Sequence, residues 1–271
     1  MSSGLLFRGL LIFIVCAIQS IESQHGRFCG EIAWTKPCSS VSDGTVGRRK
    51  RDSDSSIDEK LSEEANNNSP FALAWNEAEK DTKLPSLMEK YTMLQRSEIK
   101  LIMAYTYSIE PYFYKSLNID CQNFGLDGGK YPQTKKILRN ALIRLGDSQP
   151  KLPPILYRKE NVSLLANYSS WNQDESRQLV QFTSTSRDRD AFDCDPKKKM
   201  LVIFKNPQTG ADIADFSDYD EQEILLPLLF GDCYIESVDV SRKEAVVVGP
   251  STSSATQSSN VTNYYKKFVN K

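Results

Sequence analysis

The run Glu221-Gln222-Glu223-Ile224-Leu225-Leu226-Pro227 sets two carboxylates two positions apart at the head of an apolar stretch. Alternate residues of a strand share a face, ~6.6 Å apart at standard rise. A strand through this run therefore predicts Glu221 and Glu223 pointing into one cleft. Outward from it, short apolar runs rich in branched or aromatic residues recur at 155–157, 179–183, 200–204 and 245–248. They read as strands separated by turns. Ahead of Pro150 the period is helical. Phe71, Leu73, Ala74, Trp75 and Ala78 form one amphipathic segment, and Leu87, Met88, Tyr91 and Leu94 a second. Ile99, Ile102, Met103 and Tyr107 form a third, and Ile137, Leu138, Ala141, Leu142 and Leu145 the clearest stripe. Gly146 then stands where a helix C-cap glycine belongs. Helices first and strands second predict an α+β domain over 70–250.

The chain of 271 residues is long enough for a real core. Its 34 basic and 35 acidic side chains leave a net charge of -1, so no global field gathers nucleic acid or anionic membrane. The single histidine, His25, lies near the N-terminus. Ser-His-Asp or Cys-His catalysis and His-ligated zinc each need an imidazole in the folded body. Chemistry here falls to carboxylates, hydroxyls, thiols, Lys and Arg. The sequence has no CxxC spacing, so no metal is expected. It lacks GxGxxG and P-loop motifs, so Rossmann and Walker-type nucleotide sites are not expected.

Residues 1–23 read as a secretory signal, with Arg8, an apolar run over 10–18, and Ser20 and Ser23 as cleavage positions. Arg48-Arg49-Lys50-Arg51 is a solvated basic run that a basic-site processing protease would cut after Arg51. Residues 24–51 are then a pro-segment, expected to hold the protein latent. Residues 52–69, acidic and polar, read as a flexible lead-in. The Ser/Thr-rich tail over 251–271 reads as disordered. It has no hydrophobic end, so no lipid anchor is expected. Asn67, Asn161, Asn167 and Asn260 begin glycosylation triplets. Of six cysteines, Cys16 is in the signal, and Cys29 and Cys38 are in the pro-segment. Cys121, Cys194 and Cys233 allow one bond among themselves, with the pairing left open.

Three features follow one another in the strand-rich half. Tyr157-Arg158 ends one strand, Phe182-Thr183-Ser184-Thr185-Ser186 ends another, and Glu221-Gln222-Glu223 opens the run described first. Each alone is common at strand ends. Together they resemble the Arg…Ser-Thr-Ser…Glu-X-Glu signature of arginine-specific mono-ADP-ribosyltransferases, a family of vertebrate ecto-enzymes and cholera-like toxins. Trp75-Asn76-Glu77-Ala78, Leu84-Pro85-Ser86-Leu87-Met88, Ala104-Tyr105-Thr106, 113–118 and 138–142 are similar to the ecto-enzymes' helices. Phe216-Ser217-Asp218-Tyr219 is similar to the loop before their glutamates.

The resemblance implies a helical part packed on two antiparallel β-sheets flanking an NAD-binding cleft. It implies a secreted enzyme that moves ADP-ribose from NAD, its substrate, to arginine side chains of an acceptor protein. Glu223 would steady the cation forming on the ribose. Glu221 would grip the acceptor arginine and take its proton. Arg158 would pair with the dinucleotide phosphates, Ser184 would orient the ribose, and Thr185 and Ser186 would support the turn. Phe192 would stack on nicotinamide, and Tyr219 would touch the acceptor. Two other readings are an NAD glycohydrolase with the same cleft and a non-catalytic secreted binding protein.

Overall fold

The computed structural model describes residues 34–35, 52–171, 175–191, 198–217, 222–227 and 232–249. The stretch read as a secretory signal, Arg51 and almost all of the expected pro-segment, Asn260 and the Ser/Thr-rich stretch after residue 250 lie outside those residues. A two-residue strand, β1 (Trp34–Thr35), precedes six helices: α1 (Asp54–Asn66), α2 (Ser69–Lys80), α3 (Leu84–Lys90), α4 (Arg96–Thr106), α5 (Phe113–Phe124) and α6 (Pro132–Ser148). Strand β2 (Ile155–Asn161) and the short helix α7 (Leu165–Ser169) follow. The strands β3 (Gln178–Leu179), β4 (Thr183–Ser186), β5 (Lys199–Lys205), β6 (Ala211–Asp212), β7 (Glu223–Leu226), β8 (Tyr234–Asp239) and β9 (Glu244–Val248) complete the order. The change of period at Pro150 is thus the change from helix to strand. Among the described residues no helix is long and apolar enough to cross a membrane.

The stretch expected to be a flexible lead-in is instead helix α1. Ile57, Leu61 and Ala65 recur one turn apart and are buried. The acids that gave this stretch its disordered composition cap other helices. Glu64 accepts from the backbone N–H groups of Gln133 (2.7 Å) and Thr134 (2.9 Å) at the start of α6. Asp54 accepts from Ser97 N at the start of α4, at 2.9 Å. Carboxylates at helix N-termini satisfy orphan donors and meet the positive end of the dipole.

Two cores sit on opposite faces of the sheet. One joins the helices to Phe182, Ala211, Ile213, Phe216 and Leu225. The other packs Leu156, Met200, Val202, Phe204, Ile224 and Leu226 against Leu165, Tyr168 and Trp171. Strand β7 is therefore buried on both faces, with Leu225 toward the helices and Ile224 and Leu226 away from them.

The expected pair of antiparallel sheets is not what the strands form. Among the described residues they make one mixed seven-stranded sheet, ordered β6-β7-β4-β2-β5-β9-β8, and a separate pair of β1 with β3. Strands β5 and β9 run parallel. The reason is the β2–β4 junction. Strand β2 pairs with β5 along all seven of its residues, from Ile155↔Lys205 to Asn161↔Lys199. It meets β4 through the single pair Tyr157↔Ser186. One narrow link thus turns two halves into one sheet.

Gly146 is not a C-cap. Helix α6 continues to Ser148, with Gln149 as its cap. A side chain at Gly146 would collide with the Gly210 carbonyl oxygen, so glycine there lets α6 press against the chain entering β6. Gly146→Ala should cost about 1–3 kcal/mol by overpacking. Thermal unfolding checks this, and an unchanged Tm would contradict it.

Cys121 and Cys233 are free thiols, both fully buried. Burial pushes each up to about 12, far from the reactive thiolate range. The bond allowed among the three body cysteines does not join these two, and Cys194 is outside the described residues.

Candidate active site

Ser184, Ser186 and Glu223 share one face of the sheet. Strand β4 pairs antiparallel with β7 in the register Thr183↔Leu226, Ser184↔Leu225, Thr185↔Ile224 and Ser186↔Glu223. Paired residues point the same way, and so do alternate ones. The two serines and Glu223 therefore lie on the side that Leu225 turns toward the helices. Glu223 is 0% exposed and Ser184 5%. A carboxylate this deep costs several kcal/mol in lost hydration, and such a cost is characteristic of sites that use the charge.

The triplet is held by its neighbours. Asn118 of α5 brackets Phe182, with Nδ2 donating to its carbonyl (3.1 Å) and Oδ1 accepting from its N–H (3.2 Å). The Thr185 hydroxyl donates to the Ile224 carbonyl at 2.8 Å, tying β4 to β7 through a side chain. Ser186 Oγ accepts from Asp188 N at 3.0 Å and closes the turn after β4. Arg187, next along, forms an ion pair with Asp212 of β6 at 2.8 Å.

Arg158 is 3% exposed. Its Nη1 donates to the Ser184 carbonyl at 2.7 Å, and its Nε to Glu160 Oε1 at 3.2 Å. Tyr168 donates to the other carboxylate oxygen of Glu160 at 2.9 Å. The ladder between β2 and β4 ends after one pair, and the guanidinium reaches across where further backbone bonds would otherwise run. Of the donors expected to grip phosphate, one thus braces Ser184 and another pairs with Glu160. Glu160 was not singled out by the sequence reading. Its signal was the Arg-X-Glu spacing on one strand, which places both side chains on one face.

A second group missed in the sequence is cationic. A cavity of about 210 Å³ at the ends of β2, β5 and β9 is lined by Lys159, Arg189, Lys199, Arg242 and Lys243, with Asp190 and Glu244. Lys159 follows Arg158 and shares a face with Tyr157, the residue opposite Ser186. Nothing in the sequence separated these cations from ordinary surface charge.

The two-carboxylate argument needs a correction. Gln222 has φ 46°, in the left-handed region, and β7 begins only at Glu223. The spacing rule for an extended strand therefore does not carry Glu221 to the face of Glu223. Glu221, Tyr219 and Phe192 all lie outside the described residues. Among the glycosylation triplets, Asn67 and Asn167 are exposed. Asn161 is half-buried, with Oδ1 accepting from Ser163 N at 3.0 Å.

The structure is similar to the type III effector XopAI from Xanthomonas axonopodis pv. citri, at TM-score 0.53 and 12% identity over 74% of this chain and 90% of that one. It is similar to exoenzyme S from Pseudomonas aeruginosa, solved with human 14-3-3 protein beta and bound to Carba-NAD, at TM-score 0.52 and 16% identity over 72% and 88%. The ADP-ribosyltransferase HopU1 of Pseudomonas syringae pv. tomato shares 20% identity over 63% and 82%, at TM-score 0.48. At these identities the first two likenesses concern the fold alone. No match was found among curated proteins. The sequence model of a family described as NAD:arginine ADP-ribosyltransferase matches residues 40–236. That span takes in Arg158, the Ser-Thr-Ser strand and Glu223, and the chain belongs to the NAD:arginine ADP-ribosyltransferase family.

Proposed function

We propose that this protein is a secreted enzyme that cleaves NAD and transfers ADP-ribose to arginine side chains, releasing nicotinamide. The observation that carries the reading is Glu223, a fully buried carboxylate opposite Ser186 and on the face of Ser184. The nicotinamide of NAD departs neutral from a cationic pyridinium, so its exit needs no general acid. What forms on the sugar is an oxocarbenium-like cation. A fixed carboxylate in a dry site stabilises that cation without reorganising. Ser184 orients the ribose, and Arg158 keeps the Ser184 backbone in place. The cationic cavity beside Lys159 and Arg189 supplies attraction for the dinucleotide phosphates.

Glu221 is the residue we assign to the acceptor. An arginine acceptor is protonated at any physiological pH, so a carboxylate must both hold its fork and accept its proton. The apolar leader and the basic run at Arg51 support export and processing. The left-handed Gln222 between the two glutamates keeps a second reading open, in which water replaces the acceptor and the enzyme is a glycohydrolase.

Labelled NAD with agmatine separates the two. An ADP-ribosyl-agmatine adduct supports transfer, and Glu221→Gln should then lose the adduct while retaining some hydrolysis. Free ADP-ribose alone supports the glycohydrolase, and absence of nicotinamide release contradicts both.

A further inference from the structure

Strand β5 is apolar from Met200 to Phe204 and β9 from Ala245 to Val248, without the alternation of strands that turn one face to water. Such runs are expected to be covered on both sides. On one side they are: Val202, Phe204, Ala245 and Val247 are buried in the second core. On the other side, Leu201, Ile203, Val246 and Val248 are only half-buried, and among the described residues they join neither core. Ile155 of β2 and Tyr234 of β8 lie on the same side by register and are 36% and 39% exposed.

This open side is the face of the candidate active site. The register runs from Glu223 through Ser186 and Tyr157 to Ile203 and Val246, one residue from each strand. The helices cover the first part of that face over Phe182, Ala211 and Leu225, and their core takes in no residue of β2, β5 or β9. The row that begins at Glu223 and Ser186 thus continues as an apolar row. With strands ~4.8 Å apart, Val246 stands about 14 Å from Ser186. Agmatine, a guanidinium on a short amine chain, does not extend that far, whereas a protein surface does.

At one end the face meets the cationic cavity, where five cations stand against two acids, an excess that a diphosphate does not fully offset. A contiguous apolar surface rimmed by charge marks a macromolecular contact. A cationic rim selects an acidic partner and steers its approach. We infer that the open face of β2, β5 and β9 docks the acceptor protein, through an aliphatic patch edged by acidic residues beside the target arginine. This rests on the reading of the protein as a transferase, and adds which arginines it selects. The target side chain projects along the row toward Ser186 and Glu223, while the patch beside it seats on Ile203 and Val246.

The test uses the full chain and two synthetic peptides of about twenty residues, long enough to span the row at ~3.6 Å per extended residue. Each has one central arginine, flanked in the first by Leu, Ile, Asp and Glu and in the second by Lys and Ser. Val246→Glu, Val246→Lys and Val246→Thr are compared with the unaltered protein for transfer to both peptides and to agmatine, KM for NAD, Tm and sedimentation. The unaltered protein should favour the acidic, aliphatic peptide by about tenfold or more in kcat/KM. Val246→Glu should abolish that preference and Val246→Lys should weaken it less. Val246→Thr should cut it about fourfold, the worth of one buried methyl group. Transfer to agmatine and KM for NAD should stay within about twofold in all three. Equal use of the two peptides by the unaltered protein overturns the inference, and so does an unmoved preference in Val246→Glu. Should the charged variants not fold, an unmoved preference in Val246→Thr overturns it instead. A raised KM for NAD would give the face to the dinucleotide. Parallel loss of all activities with Tm would give it to the chain's own packing, and a dimer that Val246→Glu dissociates would give it to a second copy. Each of these overturns the inference. If the unaltered protein releases nicotinamide but modifies neither agmatine nor peptide, the transferase reading itself fails and the inference goes with it.

Discussion

Glu223→Gln should abolish nicotinamide release, with a loss on the order of 10³-fold or more in kcat, while Tm holds or rises. The amide keeps the shape of the side chain and removes its charge. If Glu223 steadies the ribosyl cation, removing one preorganised electrostatic group costs about 10²–10³-fold even for a neutral donor, and a full charge in a dry site costs more. The sign of the stability change is the informative part. Glu223 is 0% exposed, so the folded protein bears the cost of dehydrating a carboxylate. Removing the charge relieves that cost. A purely structural glutamate would show the opposite pattern, with stability falling and activity falling only as the folded fraction falls. Nicotinamide release and thermal unfolding, measured on the same preparation, tell the two apart.

The second large effect concerns Arg158 and Glu160, 3% and 0% exposed and paired at 3.2 Å. Glu160→Ala leaves a buried guanidinium without this carboxylate and takes an acceptor from Tyr168. Breaking one side of such a pair costs about 3–5 kcal/mol. At about 2–4 °C per kcal/mol for a domain of this size, Tm should fall by roughly 6–20 °C. Replacing both members by apolar residues, Arg158→Met with Glu160→Leu, should recover most of the stability. It should not recover activity, because the Ser184 carbonyl loses the 2.7 Å bond that sets it. Recovered turnover in the double variant would show the pair to be packing alone. An unchanged Tm in Glu160→Ala would show that the pair is not buried in solution.

Much of this arrangement could be read from the residues. The stripe through Leu138, Ala141, Leu142 and Leu145 is buried as its spacing predicts, because a helix of nearly five turns shows its apolar face plainly. The runs at 155–157, 200–204, 224–226 and 245–248 all fall on strands.

What escaped has a common cause, which is that the deciding partner is distant in sequence. Helix α1 read as polar because its three apolar residues are few, and its acids find use only at the ends of α4 and α6. Gly146 read as a cap because Gly210, the backbone it must clear, lies far along the chain. Strand β8 was missed because only Ile235 and half-buried Val238 face inward, and a strand at a sheet edge carries little apolar pattern. The union of the sheets hangs on the pair Tyr157↔Ser186, which no periodicity announces. The positive φ at Gln222 broke the strand rule at the glutamates, and positive φ at a non-glycine residue leaves no mark in composition.

The most direct test of the central claim is a crystal structure with a non-cleavable NAD analogue. The account predicts the Glu223 carboxylate within about 2.6–3.2 Å of a hydroxyl on the nicotinamide ribose, with Ser184 beside the same sugar. A bound analogue whose ribose lies away from β4 and β7, with Glu223 still sealed beneath, would contradict it.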